Sequence, residues 1–223
     1  LITTLRNLDR WQVDEILLLD ISRQSNLDDQ ILQQIKDSKI STPLIYGGGI
    51  RLLEDVYKLM DVGCDRLVLE TLVLKNSPVV NEISKHFGRQ ALIASLVLSK
   101  DNSRNIDLWD YKENKPSNIS LEKGIKITIN SMVSEILIID KKNEGSIGKF
   151  DLDLMNSIKT NNLKNFNQKI IWFGGIDFDV CKKLILSEST VGIAFGNSNF
   201  ESELFIPKVR EKLHNILKKD LIR

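Results

Sequence analysis

The chain has 223 residues, of which 42% are hydrophobic and 27% charged, and its formal net charge is +1. This length suits one domain with a large core, and the balanced, mixed charge argues against a nucleic-acid partner. Cys64 and Cys181 are too few and too far apart for a disulfide framework. No run approaches the roughly 20 apolar residues of a membrane span, and Leu1–Arg10 is no signal peptide, so we expect a cytoplasmic protein without a membrane partner.

Short apolar runs rich in Ile, Leu and Val alternate with stretches of helical period. The runs predict strands near residues 14–20, 43–47, 65–70, 91–98, 134–140, 169–173 and 191–196. The stretches between them predict helices near 1–11, 27–37, 52–62, 77–87, 119–131, 151–160, 178–186 and 201–219. Because the runs are almost wholly apolar, they are typical of parallel strands covered on both faces. The polar segment 101–120 predicts a small hairpin over one end of the sheet.

One strand–helix–strand unit occurs twice. Val13–Asp20 is echoed by Val133–Asp140, and each copy continues into an apolar strand that ends in glycines, at Gly47–Gly49 and Gly174–Gly175. Such a repeat indicates a duplicated α/β unit. We therefore predict a (β/α)₈ TIM barrel of two repeated half-barrels, forming a single domain over residues 1–223.

The predicted barrel lacks one of its eight strands. The second copy of the repeat is preceded by a strand at 91–98 and a helix at 119–131, whereas the first is preceded only by the helix at 1–11. An opened barrel would leave unpaired strand edges. We therefore expect the missing strand to precede Leu1 in a natural protein that begins earlier.

Glycine pairs follow two of the predicted strands. In such barrels the carboxyl ends of the strands face the ligand, and glycines let an anion approach backbone amides there. Two such loops, half a barrel apart, predict two phosphate sites and an elongated ligand. The alternative is that the glycines only form tight turns that need a positive φ. The predicted residues are Gly48, Gly49, Gly174 and Gly175.

Acidic residues stand at both ends of the predicted strands. Asp20 and Asp140 are candidates for an acid–base pair across the mouth, or for carboxylates that cap their own loops. Glu15 and Glu135 are predicted to point inward near the opposite rim, where Arg66 is placed to pair with them. From the residues alone, an ordinary ion pair at the rim is the favoured explanation of these three. No Cys or His cluster has metal-ligand spacing, so we predict no metal and no cofactor.

Five segments carry a resemblance to a known family: Val13–Ile21, Tyr46–Arg51, Phe87–Ala91, Glu135–Leu137 and Phe173–Gly175. Together they resemble the cyclase subunit of imidazole glycerol phosphate synthase, a lyase of histidine biosynthesis, over nearly the whole chain. The resemblance implies a glutaminase partner at the N-terminal face and passage of ammonia through the barrel. It also implies that ammonia joins a phosphoribulosyl-formimino nucleotide at the C-terminal face, giving imidazole glycerol phosphate and an aminoimidazole carboxamide ribotide.

The chain departs from this family at the reaction end. The family's two catalytic aspartates end the first and fifth strands; the first strand lies outside this sequence, and Val97 stands at the second position. The phosphate-contacting Asn-Thr reads Glu70-Thr71, and a carboxylate there repels phosphate. Candidate catalytic replacements are Asp20, Glu70 and Asp140, and the resemblance adds Thr71, Gly145 and Gly196 to the predicted phosphate residues.

The entrance end keeps more of the pattern. The family's ammonia entrance is ringed by four charged residues, and Glu15, Arg66 and Glu135 match or conservatively replace three of them. Asp65 and Gln90 match residues near the glutaminase interface. The resemblance thus implies a retained entrance and a rebuilt reaction end.

Four hypotheses of function follow, and we favour the first. It is a divergent subunit that pairs with a glutaminase and channels ammonia to a modified acceptor, such as an acetamido sugar in surface-polysaccharide biosynthesis, beside a sugar amidotransferase. The second is an active histidine-pathway cyclase in which Asp140 or Glu144 replaces the lost aspartate. The third is a catalytically silent binding or scaffold barrel. A phosphate-binding isomerase is a fourth reading, which leaves the entrance charges without a purpose.

Overall fold

The structure is a computed structural model that describes residues 1–22, 26–111, 113–160, 169–196 and 205–221. Its helices are α1 (Ile2–Arg10), α2 (Asp29–Ser38), α3 (Leu53–Asp61), α4 (Thr71–Leu74), α5 (Pro78–Phe87), α6 (Leu121–Asn130), α7 (Leu152–Thr160), α8 (Phe178–Ile185) and α9 (Phe205–Leu221). Its strands are β1 (Ile16–Leu19), β2 (Leu44–Gly47), β3 (Arg66–Leu69), β4 (Leu92–Lys100), β5 (Ile106–Asp110), β6 (Lys115–Pro116), β7 (Glu135–Asp140), β8 (Lys169–Phe173) and β9 (Thr190–Ala194).

Seven of the described strands form one parallel sheet in the order β1-β2-β3-β4-β7-β8-β9. Side chains from all seven strands meet in a single apolar cluster, which includes Leu17, Ile45 and Val97. Strands so far apart in the sheet can share one cluster only if the sheet curls around it. Two further apolar clusters pack the helices against the outer face. The predicted (β/α)₈ barrel architecture is thereby confirmed, with β1 and β9 at the two ends of the described strand order.

Strand alternation decides which side chains face the barrel interior. Along β4, Ile93 and Val97 lie in the interior cluster, whereas Leu92 and Leu96 pack under the helices. The same period of two puts Arg66, Val68 and Glu70 on one side of β3 and its C-terminal end. The strand β3 therefore carries a basic group at the N-terminal rim of the barrel and is followed by an acidic group at the C-terminal rim.

The helices begin where short polar side chains satisfy free backbone amides. Asp28, Ser77, Ser120 and Asp177 accept hydrogen bonds from the first turns of α2, α5, α6 and α8. Such caps typically stabilise a helix by about 1 kcal/mol. Each cap fixes the point at which a strand-to-helix loop ends, and so the shape of the C-terminal rim.

The polar segment after β4 forms the predicted hairpin. β4 continues past its parallel neighbours and pairs antiparallel with β5, with Leu98 opposite Leu108, and β5 then pairs with the short β6. Trp109 and Tyr111 pack against the barrel's interior cluster. The hairpin therefore lies over the mouth of the barrel and adds two aromatic rings to it.

Differences from the predicted elements are small. β1 begins at Ile16, so Asp14 and Glu15 precede it, and Thr71, predicted in a loop, begins the four-residue α4. Residues 201–204 of the last predicted helix lie outside the described residues. Among the described helices, none combines the length and apolar character needed to cross a membrane.

Candidate functional site

The two glycine pairs adopt the same backbone conformation. Gly48 and Gly174 have φ of +112° and +110°, and Gly49 and Gly175 have +69° and +64°. A Cβ added to Gly48 would lie 2.3 Å from the carbonyl oxygen of Asp20, and one on Gly174 would lie 2.6 Å from that of Asp140. The sequence repeat is thus preserved in three dimensions. Tight chain crossing by itself requires glycine at these two positions.

The same turns present backbone amides to open space. Gly48, Gly49, Gly174 and Gly175 line cavities at the C-terminal rim. Their amides donate no hydrogen bond to any described residue. Unused amides in a glycine turn before a helix form the kind of site that binds anions.

A cavity of about 370 Å³ lies in the C-terminal half-barrel, above β7, β8 and β9. Lys141 is the basic residue in its described wall, and its Nζ lies 4.4 Å from the centre of the Trp109 ring. The lining residues are Lys141, Glu144, Gly145, Ile147, Phe173, Gly174, Gly175, Ile176, Ala194 and Gly196. The cavity thus combines glycine amides with one cationic side chain.

A second cavity of about 160 Å³ lies in the N-terminal half-barrel. Its described wall contains three carboxylates, those of Asp20, Glu70 and Glu144, together with Thr71, Ser95 and Tyr111. Leu19, Val68 and Ile139 supply apolar surface. Glu144 borders both cavities, so they adjoin at that side chain.

The acidity of Glu70, which lines the second cavity, is altered by burial. Its carboxyl is largely removed from water, which raises its pKa to about 7, and the nearby charge of Asp110 adds to the effect. A carboxyl with this pKa exchanges a proton near neutral pH, which is a property of general acids and bases. Once the Glu70 carboxylate is ionised, it repels a phosphate group.

Tyr111 connects the hairpin to the loop after β7. Its hydroxyl donates a hydrogen bond of 2.7 Å to Glu144 Oε2. Burial, followed by this bond and by the charges of Glu144 and Glu70, raises the pKa of Tyr111, so the phenol stays protonated. The bond fixes Glu144 where the two cavities meet.

Asp20 and Asp140, the predicted acid–base pair, mainly satisfy their own loops. Asp20 accepts hydrogen bonds from the Ser22 amide at 2.8 Å and the Tyr46 hydroxyl at 3.4 Å. Asp140 is 1% exposed and lines neither cavity. Its carboxylate accepts hydrogen bonds from the side chain of Asn143 and the amide of Asp151, both at 2.8 Å. These contacts favour the hypothesis that each carboxylate caps its own loop. A catalytic role for either residue stays a prediction.

Val97 occupies the interior of the barrel. It is 1% exposed and packs with Ile93 and Leu137 in the interior cluster. Two residues earlier on the same face, Ser95 is 3% exposed and lines the N-terminal-half cavity. The side chain that the resemblance equates with a catalytic aspartate is therefore an inward-facing apolar group.

The three charged residues of the predicted entrance lie together at the N-terminal rim. The Arg66 guanidinium pairs with Glu15 at 3.2 Å and forms a shorter ion pair with Glu135. It also donates to the backbone oxygen of Gln90 at 3.1 Å. Asp65 accepts a hydrogen bond from the Leu44 amide at 2.9 Å, which holds the start of β2. The predicted pairing of Arg66 with both glutamates is confirmed.

Some residues of the C-terminal rim were missed by sequence reasoning. Ser95, Tyr111 and Lys141 line the cavities but were not among the predicted site residues. Ser95 could have been found from the strand period, because it lies two residues before Val97. Tyr111 lies in the polar hairpin segment, where no sequence pattern indicates which face it presents. The phosphate and entrance roles given to the other residues stay predictions.

A curled parallel sheet, with paired glycine turns at its C-terminal rim, defines a protein of the (β/α)₈-barrel class. The sequence profile of the family described as "Histidine biosynthesis protein" matches residues 2–201. The chain therefore belongs to the histidine biosynthesis protein family.

Two similar relatives are named "Imidazole glycerol phosphate synthase subunit HisF". The protein of Dictyoglomus thermophilum is 27% identical to this chain over 152 residues, and that of Dictyoglomus turgidum is 25% identical over the same length. Each match covers 67% of this chain and 60% of the relative. The chain therefore matches somewhat less than two thirds of the length of these relatives.

Proposed function

We propose that this chain is a divergent cyclase-like subunit that pairs with a glutaminase and conducts ammonia through the barrel to a changed acceptor. The acceptor we favour is an acetamido sugar of surface-polysaccharide biosynthesis, with a sugar amidotransferase as a further partner. Family membership and the HisF-named relatives support a cyclase-like subunit. The acceptor and both partners are our inference.

One observation carries the proposal: the two ends of the barrel interior differ in what they retain. At the N-terminal rim, Arg66 bridges Glu15 and Glu135. At the reaction end, Val97 fills the position of the aspartate with an apolar side chain. Because valine cannot transfer a proton, the family's acid–base step has no group at this position.

The entrance and the interior suit the passage of ammonia. The charged ring of Glu15, Arg66 and Glu135 stands at the rim, and the apolar cluster that contains Leu137 and Val68 lies beyond it. An apolar interior disfavours ammonium far more than neutral ammonia, because burying an unpaired charge is costly. Asp65 and Gln90, beside Arg66, are the proposed contacts of the glutaminase.

The experiment that tests the proposal is glutamine hydrolysis by a glutaminase subunit with and without the chain. The chain should form a complex and raise the hydrolysis rate at least about tenfold, a change on the order of 1.4 kcal/mol in activation free energy. Arg66→Lys should retain the stimulation, because lysine keeps the charge of the ring, whereas Arg66→Met should lose it. Lys36→Met, which removes an exposed cation from α2, is the control. A folded chain that neither binds nor stimulates the glutaminase contradicts the proposal.

A second candidate function is an active histidine-pathway cyclase. Glu70 favours it, because a carboxyl whose pKa is about 7 can serve as a general acid or base at neutral pH. Turnover of the formimino nucleotide with ammonium salts in place of the glutaminase separates the two candidates. Turnover lost in Glu70→Gln would support the cyclase.

A further inference from the structure

The two cavities at the C-terminal rim differ in charge although they belong to equivalent halves of the repeat. The described wall of the C-terminal-half cavity holds one base, Lys141, and one acid, Glu144. The described wall of the N-terminal-half cavity holds the acids Asp20, Glu70 and Glu144 and contains no lysine or arginine. A phosphate group therefore meets a cation in the first cavity and only carboxylates in the second, so the first cavity suits it better than the second.

Ser95 adds an inward-facing hydroxyl group to the wall of the acidic cavity. This side chain is 3% exposed and lies on the inner face of β4, where it lines the cavity. Its hydroxyl forms no hydrogen bond to any described residue. The hydroxyl faces the cavity, so it is free to pair with solvent or with a hydroxyl group of a ligand.

The chemistry of the acidic cavity suits hydroxyl groups. The carboxylates of Asp20 and Glu144 accept hydrogen bonds, and the hydroxyls of Ser95 and Thr71 both donate and accept them. Leu19 and Val68 offer apolar surface to the carbon skeleton of a ligand. A polyhydroxylated carbon chain or ring fits this combination, whereas a second phosphate does not.

We infer that the barrel takes a ligand with phosphate at one end only. The phosphate lies in the C-terminal-half cavity, against Gly174, Gly175 and Lys141, and the uncharged, hydroxyl-bearing end lies in the acidic cavity. Gly48, Gly49 and Thr71 then contact hydroxyl groups rather than a second phosphate. The inference rests on the proposed function, because it names the class of acceptor for the same rim.

Calorimetric titration of the full chain with matched probes tests the inference. The probes are fructose 6-phosphate, fructose 1,6-bisphosphate and inorganic phosphate. The monophosphate should bind at least about tenfold more tightly than the bisphosphate, because the second phosphate meets carboxylates. A bisphosphate that binds as tightly as the monophosphate, or a folded chain that binds neither, would overturn the inference.

Two variants separate the cavities. At about pH 8, where Glu70 is ionised, Glu70→Gln removes a negative charge at nearly constant volume and should narrow the preference for the monophosphate over the bisphosphate at least about fivefold. Ser95→Ala should weaken fructose 6-phosphate about fivefold and leave inorganic phosphate unchanged. Ser99→Ala, on β4 but outside both cavities, is the matched control. If Glu70→Gln leaves the preference for fructose 6-phosphate over fructose 1,6-bisphosphate unchanged, the inference is contradicted. These titrations contain no glutaminase, so their failure and the failure of ammonia transfer are distinguishable.

Discussion

The N-terminal and C-terminal rims of the barrel differ in how their charged side chains are balanced. At the N-terminal rim, Arg66 neutralises two glutamates, and every charge of the group has a partner. At the C-terminal rim, Asp20, Glu70 and Glu144 share a cavity whose described wall has no cation. Paired charges hold each other in place, whereas carboxylates without a cation repel an anionic ligand. The comparison teaches that the two ends of one barrel can carry their charges in opposite arrangements.

Substitution of Gly174 should have the largest effect on stability. In Gly174→Ala the new Cβ lies 2.6 Å from the Asp140 carbonyl oxygen, and φ stays at +110°. We expect a loss of about 3 to 4 kcal/mol in the free energy of unfolding, measured with urea. Gly63→Ala is the control, because its φ is +101° but no atom lies within 4 Å, and it should cost only about 1 kcal/mol. Equal losses would show that the chain crossing does not require glycine.

Breaking the charge balance at the N-terminal rim should cost somewhat less. Arg66→Met keeps most of the side-chain volume and leaves Glu15 and Glu135 unpaired. We expect a loss of about 2 to 3 kcal/mol in urea unfolding, because the arginine is mostly buried. Lys36→Met breaks the exposed Lys36–Asp61 pair and should change stability by less than about 0.5 kcal/mol. Similar small effects in both variants would contradict the view that the N-terminal rim is a closed charge network.

Glu70→Gln should stabilise the protein in a pH-dependent way. The pKa of Glu70 is about 7 in the folded protein and 4.5 without burial. Between these pH values the folded protein retains a proton that the unfolded chain releases, so the stability contributed by Glu70 falls as pH rises from about 4.5 to about 7. Glutamine removes this penalty and should add about 2 kcal/mol at about pH 8 and almost nothing at about pH 4.

Urea unfolding at both pH values measures this effect. Glu82→Gln, on the exposed face of α5, is the control for loss of one surface carboxylate. A Glu70→Gln gain that is the same at both pH values would mean that Glu70 is not buried in its neutral form. The contrast between the paired charges of the N-terminal rim and the carboxylates of the second cavity, whose described wall has no cation, would then weaken.

The smallest expected effect concerns the bond between the hairpin and the loop after β7. Tyr111→Phe removes the hydroxyl that donates to Glu144 and should cost about 1 kcal/mol in urea unfolding. Tyr57→Phe, at an exposed ring on α3, should be nearly neutral. If Tyr111→Phe leaves the free energy of unfolding unchanged, Glu144 does not depend on the hairpin for its position.

The repeated glycines and apolar runs made the barrel predictable. Each buried strand had a nearly all-apolar sequence, and the positions of Gly48 and Gly174 marked the same turn in both halves. The pairing of Arg66 with Glu15 and Glu135 followed from their shared end of the strands. These features depend on local period and strand direction, which a sequence displays directly.

The division of the C-terminal rim into two cavities was not predictable. Glu144 borders both cavities because Tyr111 holds it, and that contact joins segments 33 residues apart. The burial that raises the pKa of Glu70 likewise comes from tertiary packing. Asp140, in turn, matched a catalytic pattern by sequence, yet the structure surrounds its carboxylate with amides of its own loop. The division into two cavities and the burial of Glu70 depend on contacts between segments that are distant in sequence. No short sequence pattern predicts such contacts.

The most direct test of the central claim is turnover of the phosphoribulosyl-formimino nucleotide by the folded protein at saturating ammonium. Excess ammonia bypasses the proposed glutaminase and the proposed entrance, so the assay reports only on the C-terminal rim. With Val97 in place of the aspartate, we predict no turnover above the uncatalysed rate. Clear turnover that depends on Glu70 would contradict the claim that the reaction end serves a changed acceptor.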